Sequence, residues 1–283
     1  MSKIFVLGAS GYVGGALADF LAKEGREVVR MGRAGCDIIA DLRFPEDIPY
    51  DILQRDDFVI VAAAISSPDA CKNEFDSCWK VNVTGTGRFI ERCIEGGAKV
   101  LFLSSDAVYA SDPGVVYDED SDVDPRYPYG KMKAAIERKF ISNSAFKALR
   151  LSYVFSADDR FTKYLMQCAE KEETVEVFHP YERNCVSLLD VERAISWMLG
   201  NWSCFDSGVL NLAGTELVSR ALFTTAFSDV LGAGLRYEII EPPSGFYDSR
   251  PSTTCMSSKF LYDLEIVQRG SFREKLAEIL EVR

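Results

Sequence analysis

Histidine is almost missing from this chain: His179 is the only one in 283 residues. The eight cysteines, at 36, 71, 78, 93, 168, 185, 204 and 255, lie scattered, and none forms C-x-x-C. Clustered zinc ligands are therefore lacking, and no metal is expected. The thiols read as free and buried in a reducing cytosol, so the expected location is cytoplasmic. Positive charge is in deficit. A net charge of −11 argues against a large footprint for nucleic acid or an anionic membrane, and leaves room for a local basic pocket for phosphates. Long apolar runs are missing too: the longest, FVIVAAAI (58–65), suits a buried strand rather than a membrane span. The N-terminus opens on a strand-like KIFVLG, without the basic, apolar and cleavage regions of a signal peptide. Internal repeats and low-complexity tracts are absent.

What is present is an alternation. Strand-like runs cover 3–8, 27–32, 57–64, 98–105 and 146–155, with helical patterns over 12–24, 74–95 and 129–142. Continuous apolar strands joined by helical crossovers imply an α/β fold with a parallel sheet covered on both faces. The second half is less regular. Helices are expected near 160–173, 190–200, 219–231 and 271–281, and short strands near 174–178, 185–188, 208–212 and 236–240. The stretch EPPSGFYDSRPSTTC (241–255) reads as an ordered loop. Residues 1–155 form the expected dinucleotide-binding domain and 156–283 a smaller C-terminal α/β substrate-binding region, some segments of which return to the first domain.

The first strand runs into VLGASGYVGGALADFLAKEG, with glycines spaced G-x-x-G-x-x-G. Gly8 allows the tight turn, Gly11 lets a pyrophosphate approach the helix N-terminus, and Gly14 lets the helix pack against the sheet. Ser10 adds a hydroxyl donor, and Tyr12 and Val13 open the helix beside it. Placement between the first strand and the first helix of a βαβ unit is the context that turns three glycines into a dinucleotide site, and makes the sheet Rossmann-type and doubly wound. The second strand ends RMGRAG rather than on an acid. Arg33, assisted by Arg30, suits a 2′-phosphate, so NADP is the expected cofactor and NAD the second choice. Asp41 and Leu42 are placed near the adenine, and Ala62, Ala63 and Ala64 leave room for the dinucleotide over the sheet edge; packing alone also explains the alanines.

RYPYGKMK (126–133) offers two Tyr-x-x-x-Lys pairs. Pro128 decides between them. A residue before proline is pushed out of the α region, and proline suits the first helical position. Tyr127 thus falls outside the helix, whereas Tyr129 and Lys133 share its inward face with Ile136 and Phe140. A lysine cation and a positive nicotinamide ring near Tyr129 are expected to lower its phenol, which then exchanges a proton with a carbonyl or alcohol oxygen. Lys133 also holds the nicotinamide ribose. The fourth strand ends FLSSDAVYA, where Ser105, with Ser104 as fallback, holds the reacting oxygen. His179 reads as a loop or surface residue. The acidic run YDEDSDVD reads as a solvated loop rather than a metal site.

GASGYVG, SSDAVY and YGKMKAAIE stand in the order found in the extended short-chain dehydrogenase/reductase superfamily, the NAD-dependent epimerase/dehydratase type, which this chain resembles. VNVTGT matches the stretch carrying that family's helix asparagine, here Asn82. SSDAVY, LRLSYVFS, RNCVSLLDVERAI and SRPSTTCMSSKF are most similar to the dTDP-4-dehydrorhamnose reductase branch, with Tyr153 where a tryptophan often lines the sugar pocket and Ser187 in place of a histidine. The resemblance implies Ser105, Tyr129 and Lys133 as catalytic residues with Asn82 beside the cofactor, and Asp106, Tyr153, Asn184 and Arg250 along the substrate. It implies an NAD(P)-dependent reductase of a nucleotide-linked 4-keto-6-deoxy sugar, and a possible homodimer through the long helices. Two alternatives remain open: an epimerase or dehydratase with tightly held NAD, and a non-catalytic NADP-binding regulatory subunit.

Overall fold

A computed structural model describes residues 2–281. In chain order the elements are β1 (Ile4–Leu7), α1 (Tyr12–Lys23), β2 (Val28–Gly32), β3 (Ile38–Ile39), β4 (Phe58–Val61), α2 (Pro68–Asn73), α3 (Phe75–Trp79), α4 (Thr86–Glu95), β5 (Lys99–Ser105), β6 (Val116–Tyr117), α5 (Pro128–Phe140) and β7 (Phe146–Leu151). They continue as β8 (Val154–Phe155), α6 (Arg160–Lys171), β9 (Val175–Phe178), β10 (Glu182–Arg183), β11 (Val186–Ser187), α7 (Leu188–Gly200) and β12 (Val209–Leu212). The last elements are β13 (Val218–Ser219), α8 (Arg220–Leu231), β14 (Tyr237–Ile240), β15 (Thr253–Met256) and α9 (Phe272–Glu281).

The main sheet is parallel throughout, in the order β12-β7-β5-β4-β1-β2-β3. β1, β4 and β7 are buried at every position, as apolar strands covered on both faces must be. One face packs on α1 and α7 through Leu17, Leu21, Val191, Ile195 and Met198. The other packs on α4 and α5 through Phe89, Ile90, Ile136 and Phe140. A third core, with Leu165, Phe223, Phe227, Phe272 and Leu276, joins α6, α8 and α9. Strand order reverses between β1 and β4, so the crevice for a ligand opens at the carboxyl ends of those strands.

Four local expectations need correction. The run 146–155 is not one strand: it leaves the main sheet after Leu151, and β8 pairs with β11 instead. The turn that breaks it carries Tyr153 out of the sheet. The helical pattern over 74–95 contains a π-helical turn, Lys80–Gly85, between α3 and α4. Asn82 lies on that turn and clamps Ile65, accepting from its amide at 2.8 Å and donating to its carbonyl at 2.9 Å. The stretch 241–255 holds a 3-10 turn (Phe246–Asp248) and β15, which runs parallel to both β10 and β6; its Ser/Thr-rich composition disguised a strand. The acidic run is not simply solvated. Glu119 accepts from the Asn211 amide at 2.8 Å, the Ser258 hydroxyl at 2.6 Å and the Lys259 amide at 2.8 Å, and so ties β6 to β12 and to the chain after β15. His179 is exposed.

Candidate active site

The glycine loop joins β1 to α1 at the reversal point. Gly8 has φ +94°, and a Cβ there would sit 2.6 Å from the Ala63 nitrogen; a Cβ on Gly14 would sit 2.4 Å from the Gly8 carbonyl oxygen. Side chains would thus fill the cradle between β1, α1 and β4. No side chain caps α1 at Gly11, so its first amides are left for an acceptor outside the helix. The loop is exposed at Ser10, Gly11 and Tyr12. These features fit a pyrophosphate. Ala62, Ala63 and Ala64 are half-buried, and Ala62 also packs on Gly14.

The adenine end is mixed. Arg33 is exposed and has no hydrogen-bond or ion-pair partner among the described residues. Arg30 is not available to assist it, because its guanidinium is bound to Asp19 at 2.5 Å. The Asp41 carboxylate is already gripped by the Arg43 guanidinium, which holds it below the usual carboxylate range. Leu42 is buried, with its carbonyl oxygen against Gly85.

α5 begins as the proline argument requires. Tyr127 is extended (φ −101°, ψ 153°) and Pro128 takes the first turn. Lys133, Ile136 and Phe140 are buried, while Lys131 and Arg138 are exposed. Gly130 brings the helix onto the serine loop: a Cβ there would fall 1.9 Å from the Ala107 carbonyl oxygen. Ser105 donates to Asp106 at 3.0 Å and accepts from the Ala107 amide at 3.2 Å, so its hydroxyl is held in place. Ser104 is no fallback, since its hydroxyl is spent on Glu137 at 2.5 Å. Glu137 also binds Arg150, at 2.7 Å, and Arg150 reaches Tyr109 at 2.7 Å.

The protonation pattern differs from the expectation. Lys133 is buried, donates to the Leu103 carbonyl at 2.6 Å, and lies 5.6 Å from the centre of the Tyr129 ring. Burial pushes it down to about 8, against the opposing pull of Glu137 and Cys71. Burial pushes the Tyr129 phenol up, and Cys71 and Asp106 act in the same direction. Desolvation is the largest cause of the upward direction, and the lysine is turned toward a carbonyl rather than toward the phenol oxygen. Tyr129 therefore keeps its proton at neutral pH.

One cavity of about 1050 Å³ gathers Tyr12, Val13, Ser105, Asp106, Tyr129, Tyr153 and Arg250. Lys133 and Asn82 are buried outside its lining. Burial also raises Asp106, opposed by Arg183 at 3.5 Å and by Ser105 and Ser152. Tyr153 donates to Asp159 at 2.7 Å. Arg250 is ion-paired to Asp69 and stacks on Phe246, 4.3 Å from the ring centre. Asn184 is a correction. It is buried away from the cavity, donating to the Gly214 carbonyl at 3.3 Å and accepting from the Met256 amide at 3.0 Å. Its neighbour Arg183, the last residue of β10, lines the cavity instead. Sequence reasoning also missed Arg220, Tyr181 and Tyr127 on the wall; only the position of Arg183 beside Asn184 offered a signal.

The family model described as RmlD substrate binding domain matches residues 2–283. The chain is 24% identical to the spore coat polysaccharide biosynthesis protein SpsK of Bacillus subtilis, over all of this chain and 98% of that one. It is 25% identical to a dTDP-4-dehydrorhamnose reductase of Mycolicibacterium smegmatis, over 98% of this chain and 84% of that one. The solved structure of MoeE5 in complex with UDP-glucose and NAD superposes with a TM-score of 0.81 at 26% identity, over 99% of this chain and 98% of that one.

Proposed function

Because this chain belongs to the RmlD substrate binding domain family, we propose that it is a nicotinamide-dependent enzyme that reduces the keto group of a nucleotide-linked 4-keto-6-deoxy sugar. The observation that carries the reading is the meeting of Ser105 and Tyr129 on one cavity, at the carboxyl edge of the sheet beside the glycine cradle. Carbonyl reduction needs a proton donor, and a phenol carries its proton at neutral pH with or without that shift. A bound nicotinamide supplies the hydride. Tyr129 delivers the proton, Ser105 holds the reacting oxygen once its hydroxyl turns from Asp106, and Lys133, set one turn behind on α5, would hold the nicotinamide ribose by exchanging the Leu103 carbonyl for it. Asp106, Tyr153 and Arg250 orient the sugar and its carrier.

NADP is the proposed form of the cofactor, supported by the exposed Arg33, whose guanidinium makes no hydrogen bond or ion pair among the described residues, just after β2. We read 1–155 as the dinucleotide-binding part and 156–283, apart from the returning α7 and β12, as the substrate part. A homodimer through α4 and α5 is part of the same reading, as is a cytoplasmic location, which the eight free cysteines support. No helix among the described residues is long and apolar enough to cross a membrane.

One observation favours a second reading. Asp106, raised by burial and bonded to Ser105, is a second proton carrier of the kind an epimerase or dehydratase with tightly held NAD would use. The full Ser105, Tyr129 and Lys133 set speaks against a purely regulatory subunit. The test is NADPH oxidation, followed by nicotinamide absorbance, with dTDP- and UDP-linked 4-keto-6-deoxy sugars. Turnover with one of them is expected. No oxidation with any of them refutes the reductase, and a co-purifying cofactor that cycles without net oxidation establishes the second reading.

A further inference from the structure

Three arginines on the cavity wall are already accounted for. Arg183 is paired with Asp106 at 3.5 Å, Arg250 is paired with Asp69, and Arg160 is exposed to solvent. Arg220 is different. It opens α8, directly after the capping Ser219, and its side chain is half-buried. Its guanidinium carbon lies 4.1 Å from the centre of the Phe161 ring, 4.5 Å from that of Tyr153 and 5.1 Å from that of Tyr181. No carboxylate stands within ion-pair distance of it among the described residues. The acid beside the cluster, Asp159, is saturated. It accepts the Tyr153 hydroxyl at 2.7 Å, the Thr162 hydroxyl at 2.5 Å and the amides of Ser156, Phe161 and Thr162.

Ring faces attract a cation but accept none of the hydrogen bonds that a guanidinium offers along its edge. The Tyr153 hydroxyl beside it donates to Asp159 at 2.7 Å, and Arg220 lines the cavity. A half-buried cation packed among three rings, with no acid of its own, is preset for an anion brought by the ligand, and its planar fork matches a phosphate or carboxylate bidentately.

We propose that Arg220 is a specificity residue that binds an oxyanion of the substrate, through paired N–H donors presented from the Tyr153, Phe161 and Tyr181 cluster. This deepens, and rests on, the reading of the cavity as a nucleotide-sugar site. The oxyanion has two chemical sources, the diphosphate of the carrier or a carboxylate on the sugar.

The test is calorimetric binding of uridine, UDP, dTDP, UDP-glucose and UDP-glucuronate to the full chain and to its Arg220→Met and Arg220→Lys variants. Methionine keeps an apolar stem among the rings and removes the fork. The expected result is a loss of about 10- to 100-fold for the methionine variant, the range for one charge-assisted hydrogen-bonded pair, with uridine unaffected. A loss already present with UDP or dTDP assigns the diphosphate, and a loss confined to UDP-glucuronate assigns the sugar carboxylate. Lysine retains the charge without the fork and is expected to recover only part of the affinity. Near-ultraviolet circular dichroism reports whether the methionine variant folds; if it does not, the lysine variant decides alone, and wild-type affinity in it overturns the proposal. Equal affinities in all three proteins, or no binding of any diphosphate or glucuronate ligand to the wild type, also overturn it. Arg220-dependent nucleotide binding without NADPH turnover on any keto sugar would sink the reductase reading and leave this one standing.

Discussion

Lys133→Met separates what the lysine does for chemistry from what it costs the fold. The side chain is 4% exposed, and burial brings it from the usual 10.5 down to about 8. Between those two values the unfolded chain binds a proton at this position and the folded chain does not, so stability must rise with pH through that window. At 1.36 kcal/mol per unit, the full effect is about 3 kcal/mol, and the part falling between about pH 7 and pH 9.5 is about 2 kcal/mol. Other groups titrate over the same range, so the informative quantity is the difference between wild type and Lys133→Met, measured by urea unfolding at both pH values. Wild-type stability is expected to gain about 2 kcal/mol on the variant from the lower pH to the higher. The Met variant also loses the bond to the Leu103 carbonyl, but that offset does not depend on pH and cancels in the comparison. Turnover of the variant should fall at least about 100-fold at either pH, the scale of losing an oriented cation beside the proton donor. Two parallel stability profiles, with a constant wild-type-minus-variant difference, would refute the claim that Lys133 is desolvated in the fold.

Three further outcomes follow from the same geometry. Tyr129→Phe should cut kcat by about 10²- to 10⁴-fold with NADPH binding retained, whereas Tyr127→Phe should cost under about 10-fold; equal losses would mean that the helix start does not select the donor. Gly130→Ala places a methyl 1.9 Å from the Ala107 carbonyl, so α5 must back away from Ser105. The expected penalty is about 1–3 kcal/mol in unfolding free energy and about 100-fold in kcat, and an unchanged kcat would show that the serine loop follows the helix. Glu137→Gln weakens the partner of Arg150, whose side chain is 5% exposed, and should cost about 3–5 kcal/mol by denaturant unfolding; a loss below about 1 kcal/mol would mean that water reaches the pair.

The parts of the molecule that were legible are those ruled by local chemistry. Apolar runs with no polar face specify buried parallel strands, and β1, β4 and β7 are buried at every position. Pro128 alone set the start of α5. The parts that were not legible depend on partners far away in sequence. Whether Asn184 or Arg183 faces the cavity depends on the strands beside β10, one of them β15, about 70 residues later, in a segment that reads as loop. The break after Leu151 cannot be read from LRLSYVFS, because it is β8 pairing with β11 that takes the chain out of the sheet. The surroundings of the Tyr129 phenol were not legible for the same reason. A spacing of four residues puts a cation near the ring, but the direction of the shift is set by how completely the surroundings exclude water, and Cys71 and Asp106, which also act on it, come from other elements.

The cavity takes its walls from both halves of the chain, and different forces join the halves away from it and at its rim. Away from the lining, β12 pairs with β7 in the main sheet, β15 pairs with β6, and Glu119 fastens the two connections through three hydrogen bonds. At the mouth, the segment before β15 meets α2 through Asp69 with Arg250 and Ser249, and through Lys72 with Asp248 at 2.8 Å. Asp69 is 61% exposed and Asp248 60%, so each ion pair contributes no more than about 1 kcal/mol and is weakened by salt. A polyanionic ligand competes directly for Arg250 of the Asp69 pair, whereas nothing it carries competes for the backbone pairing of the strands. Substrate entry is therefore expected to exchange the Asp69 contact of Arg250 while leaving the strand pairing intact. Asp69→Asn should accordingly tighten nucleotide-sugar binding by a few-fold, an effect that shrinks as ionic strength rises, and equal affinity at low salt would show that Arg250 stays with Asp69 when the ligand is bound.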